Sequence, residues 1–186
     1  MARPDEIIDA LIYQLDESDA VSSDVTYLNE EVDSTGKNAD VFLPVIEIQE
    51  VGTTWLSEFN TDRVDIEFTD DSAEEVYRAE YELILQLDVW VADTSKWSPD
   101  EIGGDARRVL YQYESAGPSE TLVDREGNPL PEIWKFSLTD AGRPDDLSGT
   151  FSVRKWRQEI EIWAYEEYRA EKDVIQSIEE DVQSFN

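Results

Sequence analysis

The 186-residue chain contains no cysteine and no histidine. Those two absences exclude a disulfide framework, thiolate zinc sites, and haem or iron–sulfur ligation through either residue. They also exclude a Ser-His-Asp triad and a Cys-His dyad. Positive charge is scarce as well. Fifteen Lys and Arg face 45 Asp and Glu, which leaves a net charge of −30. A chain so acidic repels phosphate, so DNA binding by phosphate neutralisation is excluded. No apolar run approaches the roughly 18 residues that mark a membrane-spanning helix. The first residues hold no apolar block of the secretory type, and no targeting segment is expected.

What is present in excess is carboxylate, about one uncompensated charge per six residues (186/30). Self-repulsion on that scale destabilises a compact state in dilute salt. In molar salt the screening length falls to about 3 Å, and the repulsion largely vanishes. The cations are five Lys against ten Arg, and the apolar fraction is an ordinary 40%. This composition fits a protein made in a saturated-salt cytoplasm. A disordered acidic chain would be poor in aromatics; here they make up 11%.

Hydrophobic spacing then orders the chain. Ile7, Ile8, Leu11, Ile12 and Leu15 form one helical face over residues 4–17, with Pro4 in the first turn. Residues 18–40 are polar and read as a long loop or short hairpin. Residues 41–48 read as a strand with Pro44 near its start or on an edge. Val64, Ile66 and Phe68 mark a second strand. From Tyr77 to Val91 the alternation has a strict period of two, which predicts one unusually long strand. A helix over 98–113 carries Ser98 as N-cap, Pro99 at the first position and Glu101 at the third. Its Gly103-Gly104 pair marks either a close approach to the sheet or a loose start. Residues 115–131 read as a loop. Residues 133–138 and 150–165 read as a long hairpin, with a bulge near Trp156–Gln158 to explain a slip of phase. Ile175, Ile178, Val182 and Phe185 suggest a last amphipathic helix. The expected fold is α+β: a mainly antiparallel sheet with long strands and helices packed on it. It forms one domain, 1–169, followed by a C-terminal amphipathic helix or extension, 170–186.

Chemistry is hard to find in this pattern. Acidic pairs such as Glu30-Glu31, Asp70-Asp71, Glu74-Glu75, Asp145-Asp146 and Glu179-Glu180 are what the charge excess alone produces. No lysine follows an acidic residue by two positions, as a carboxylate nuclease would need. There is no phosphate loop or dinucleotide fingerprint, and Asp24 to Glu31 does not match a calcium loop. No catalytic, cofactor-binding or metal residue is assigned, no cofactor is expected, and an enzyme is not expected. Six tryptophans are more informative. Trp90 lies on the more polar face of the long strand. Trp134, Trp156 and Trp163 lie on the hairpin, while Trp55 and Trp97 lie near turns. They serve core packing, a protein interface, or a sugar platform. Arg154, Lys155 and Arg157 form a basic cluster, which either salt-bridges Glu159 and Glu161 or docks on an acidic neighbour. The interface candidates are therefore Trp90, Trp134, Arg154, Lys155, Trp156, Arg157 and Trp163. The tail adds Ile175, Ile178, Val182 and Phe185.

The order of elements resembles the tail terminator (tail completion) proteins of long-tailed phages and archaeal tailed viruses. The carrying pieces begin with the helix Pro4–Leu15, a polar loop, and the strand Leu43-Pro44-Val45-Ile46-Glu47-Ile48. A long strand Tyr81–Ala92 then ends in Trp90-Val91-Ala92-Asp93, and the capped helix Ser98–Tyr113 and a C-terminal hairpin follow. The likeness covers about residues 4–168 and includes no signature motif. It implies a non-enzymatic virion protein that forms a six-membered ring, caps the tail tube and meets the neck. Its partners would be further copies of itself, the tail tube protein and neck or connector proteins, with no membrane. DNA would pass its acidic lumen without specific binding. The host would be a salt-loving archaeon in whose cytoplasm the protein is made. Residues 115–131 and 170–186 lie outside the pattern. Another neck or tail component, such as a head–tail connector or tube protein, remains an alternative. So does a cytoplasmic binding protein of a haloarchaeon.

Overall fold

A computed structural model describes residues 3–28, 43–56, 62–68, 73–92, 95–116, 122–130, 133–139, 143–145 and 153–172. Helix α1 spans Pro4–Asp16, close to the predicted range. Its start is closed by the Arg3 backbone N–H, which donates to Glu6 Oε2 at 3.0 Å, half of a capping box. Asp5 and Glu6 sit where the helix dipole favours negative charge. Ile7, Ile8, Leu11, Ile12 and Leu15 are all buried, as their spacing requires. Helix α2 spans Pro99–Ala116 and buries Ile102, Ala106, Val109 and Leu110. The helices are tied to each other by the Tyr113 hydroxyl, which donates to Gln14 Oε1 at 2.6 Å. Gln14 Nε2 in turn donates to the Val123 carbonyl at 3.3 Å, which holds the 122–130 segment against α1.

Seven strands form one sheet among the described residues. They are β1 (Thr26–Leu28), β2 (Val45–Trp55), β3 (Asp62–Phe68), β4 (Ala73–Ala92), β5 (Ile133–Leu138), β6 (Arg143–Asp145) and β7 (Val153–Lys172). The main order is β1-β2-β4-β7-β5; β3 also pairs with β4, and β6 with β7. Only β1–β2 is parallel. The fold is thus α+β with a mostly antiparallel sheet. Two short strands were not anticipated: β1 lies in the stretch read as loop or hairpin, and β6 in a turn-rich stretch.

The frame is the β4–β7 ribbon. Each strand has 20 residues, and they pair without interruption from Ala73↔Lys172 to Ala92↔Val153. At about 3.3 Å per residue the ribbon is roughly 65 Å long. β2 flanks β4 along 81–90, and β3 continues on the same side along 73–78. On the other side, β6 and β5 flank β7 at 155–157 and 160–164. The predicted long strand is therefore real, and its partner strand is equally long.

Directly paired residues share a face. Tyr81, Leu83, Leu85, Leu87, Val89 and Val91 of β4 join Trp156, Ile160, Ile162 and Ala164 of β7 in the core under both helices. The slip of phase in β7 needs no bulge at Trp156–Gln158, since β4 and β7 stay in register there. Its cause is burial on both faces. Val153 packs with Val45 and Trp90 in a small second cluster on the face away from the helices. Bulges occur elsewhere, at Glu50–Gly52 in β2, Arg63–Asp65 in β3 and Ile133–Lys135 in β5. The tail helix was expected from Ala170, but β7 runs through Lys172. Ile175, Ile178, Val182 and Phe185 lie outside the described residues.

Candidate interaction surface

Several of the expected interface residues turn inward. Trp156 is buried, and its indole occupies the space beside Gly103. A Cβ on Gly103 would meet Trp156 Cδ2 at 2.2 Å, so this glycine is what lets α2 approach the sheet. The same test at Gly104 meets nothing within 4 Å. Of the two readings of the glycine pair, close approach holds for Gly103.

Trp90 and Lys155 are also buried. They face each other across β4 and β7, with Lys155 Nζ 4.1 Å from the centre of the Trp90 ring. Trp90 Nε1 donates to the buried Glu47 at 2.9 Å. Lys155 Nζ pairs with Asp88 Oδ2 at 2.5 Å, and Arg157 Nε reaches Asp88 Oδ1 at 2.9 Å. Gln86 Nε2 donates to the same carboxylate at 2.6 Å. The Asp88 side chain is fully buried. The buried Asp88 carboxylate is thereby set between two cations, Lys155 and Arg157, while the buried Glu47 is held by the Trp90 N–H, as burial of charge requires. The basic cluster was expected to bridge Glu159 and Glu161 or to dock outside the chain. Lys155 and Arg157 instead meet Asp88 on the neighbouring strand. Arg154 lies on the other face, where its Nη2 donates to the Trp97 carbonyl at 2.8 Å. Period-two geometry divides the three cations between faces, a division that simple proximity in sequence hides.

Trp134 and Trp163 remain at the surface. Their rings meet edge to face, 5.0 Å between centres at 85°. Trp134 sits at the β5 bulge and is 45% exposed. Lys135 Nζ lies 4.5 Å over the Trp163 ring and 2.5 Å from Glu161 Oε1. Trp163 Nε1 donates to that same oxygen. The Lys135 contact, then the Trp163 N–H, holds the Glu161 carboxyl below its usual range.

The sequence reading passed over a second exposed patch. Val51, Trp55 and Leu56 are 58%, 50% and 42% exposed. Val51 is the extra residue of the β2 bulge, and the Trp55 ring lies 5.2 Å from Tyr81. The available signal was the uncharged run Val51-Gly52-Thr53-Thr54-Trp55-Leu56 in a chain that is 32% charged. Only Trp55 was noted, and only as a residue near a turn.

The far end of the ribbon differs again. Arg78 Nη2 pairs with Glu167 Oε1 at 2.9 Å and stacks 3.8 Å over Tyr165. Arg169 Nη1 bridges Glu67 at 2.7 Å and Glu74 at 3.2 Å. Among the described residues no group of three or more acidic side chains is arranged to hold a metal ion. No described helix is long and apolar enough to cross a membrane. Comparison with family models and with curated proteins gives no match.

Proposed function

We propose that this chain is a structural virion protein, a tail terminator whose copies form a ring on the tail tube and join it to the neck. The observation that carries this reading is the β4–β7 ribbon. Its twenty paired rungs run eight residues past the helix-covered core, which stops at Tyr81 and Ala164. A two-layer body with a long projecting β-arm suits contact with neighbouring subunits better than chemistry in a pocket. The element order adds support, because α1, β2, β4, α2 and the β5–β7 hairpin follow the order that carries the family resemblance. The charge of −30 suits a lumen that DNA must traverse without sticking. It also suits synthesis in a high-salt cytoplasm. On this reading the partners are further copies, the tube protein and neck proteins, and no catalytic residue is required.

The test is the mass of the purified protein in multimolar salt by light scattering, with electron microscopy of the same sample. Rings of uniform subunit number are expected. A compact monomer at every concentration up to millimolar would overturn the reading in favour of a haloarchaeal binding protein. Rings that fail to bind tube ends but bind portal-side proteins would move the assignment to another neck component.

A further inference from the structure

Lys155 is a buried primary amine for which the ring reading has no use. Its side chain is 6% exposed, and that of Asp88 on the neighbouring strand is 0% exposed. Lys96 and Lys135, by contrast, are exposed. Lys155 Nζ lies 2.5 Å from Asp88 Oδ2. A carbon–oxygen bond adds about 1.2 Å, so Nζ is within about 3.7 Å of the carboxyl carbon Cγ. That is close to the roughly 3–3.5 Å of a near-attack geometry. The Trp90 ring closes one side, 4.1 Å from Nζ, and Trp90 packs in turn with Val45 and Val153.

From this geometry we infer that Lys155 and Asp88 condense into an amide, a covalent tie between β7 and β4. The ion pair described above is the reactant. Nζ gives one proton to Oδ2, which leaves a neutral amine beside a neutral carboxylic acid. Burial favours that exchange, because it disfavours both charged forms. The nitrogen lone pair attacks Cγ, and negative charge gathers on Oδ1. Arg157 Nε stands 2.9 Å from Oδ1 and stabilises it there. The Cγ–Oδ2 bond then breaks, and Oδ2 takes a second proton from the nitrogen and departs as water. Gln86 Nε2, 2.6 Å from Oδ2, orients that leaving oxygen. One C–N bond forms, one C–O bond breaks, and no oxidant or reductant is needed.

A second buried acid lies alongside. Glu47 is the register partner of Asp88, so the two side chains share a face. Trp90 Nε1 holds the Glu47 carboxylate at 2.9 Å. Placed there, Glu47 relays the second proton from the nitrogen to Oδ2. The product replaces two buried charges by a neutral amide, which removes the cost of holding those ions out of water. Arg157, 46% exposed, keeps solvent as a partner once the carboxylate is gone. A chain without cysteine has no disulfide to brace its strands. An amide supplies such a brace, and the salt that screens ion pairs leaves it intact. The inference does not rest on the ring reading.

The test is the intact mass of the purified full-length protein, taken after incubation in multimolar salt and then denaturation. Wild type is expected to weigh one water less than its sequence. Proteolysis should then release a branched peptide that joins Asp88 to Lys155. Lys155→Met and Asp88→Ala should each weigh the full mass of their sequence, with thermal melting beforehand to show which of them folds. Glu47→Gln should slow the linkage about a hundredfold or more, as loss of a general acid–base group does. A folded wild type at full mass would overturn the inference. So would a lost water that persists in Lys155→Met, or a branched peptide joined at other residues. Linkage in Glu47→Gln at the wild-type rate would overturn the relay. The readout is the mass of a single chain, so failure here leaves the ring reading to its own test.

Discussion

The β4–β7 ribbon is one pair of strands held in two ways. Between Tyr81 and Val91 its inner face is Leu, Ile, Val and Tyr pressed under α1 and α2. Between Ala73 and Glu80 the same alternation carries Glu75, Tyr77 and Ala79 instead, with Arg78 and Val76 on the other side. Tyr77 there donates to the buried Glu75 at 2.6 Å, and cross-strand ion pairs join Arg78 to Glu167 and Arg169 to Glu67 and Glu74. Burial of apolar area contributes about 25 cal/mol per Å² and is not screened by salt. Exposed ion pairs contribute roughly 0–1 kcal/mol and weaken as salt rises. The body of the ribbon therefore supplies stability, while the arm relies on its backbone ladder with β3 and on charges that multimolar salt screens.

The largest expected effect lies in the body. Asp88→Ala removes the carboxylate that holds the buried Lys155 and leaves that charge without its ion-pair partner. A loss of about 3–5 kcal/mol in unfolding free energy is expected. Adding Lys155→Met should recover much of it. Denaturant titration of the single and double variants checks this, and a double variant no more stable than Asp88→Ala would refute the pairing as the source. Gly103→Ala comes next. Its methyl would overlap the Trp156 indole, and a cost of about 1–3 kcal/mol is expected, whereas Gly104→Ala has open space and should be neutral or better. A Gly103→Ala protein that melts with wild type would contradict the close approach of α2. The smallest effect belongs to the arm. Arg78→Ala should cost at most about 1 kcal/mol in dilute salt and less in multimolar salt. Amide exchange should quicken at 73–80 and 165–172 while 81–91 stays protected. Equal acceleration in both halves would erase the distinction between them.

Much of the fold was legible in the chain. Helical spacing placed α1 and α2 to within a few residues, and period-two alternation located β4 before any pairing was known. Those signals are local, because the periods of 3.6 and 2.0 are properties of the backbone itself. The site was less legible. Trp90 and Trp156 stayed open between core and interface, and Lys155 between a salt bridge and docking, since a strand's sequence does not say which of its faces a helix or a second cluster will cover. The fate of Arg154, Lys155 and Arg157 shows the same limit: Asp88 lies 67 or 69 positions from its cations and becomes their partner only through the register of β4 with β7.

By itself, then, the sequence determined the class of the protein: an acidic, cysteine-free, histidine-free α+β chain with one very long strand. Only the tertiary structure decided which tryptophans are core, which acid neutralises which cation, and that Trp55 lies in the row of Ile133, next to Trp134, on the opposite edge. Composition and period are carried by neighbours in the chain. Register, coverage and edge position arise from pairing between strands far apart in it, and no local pattern encodes them.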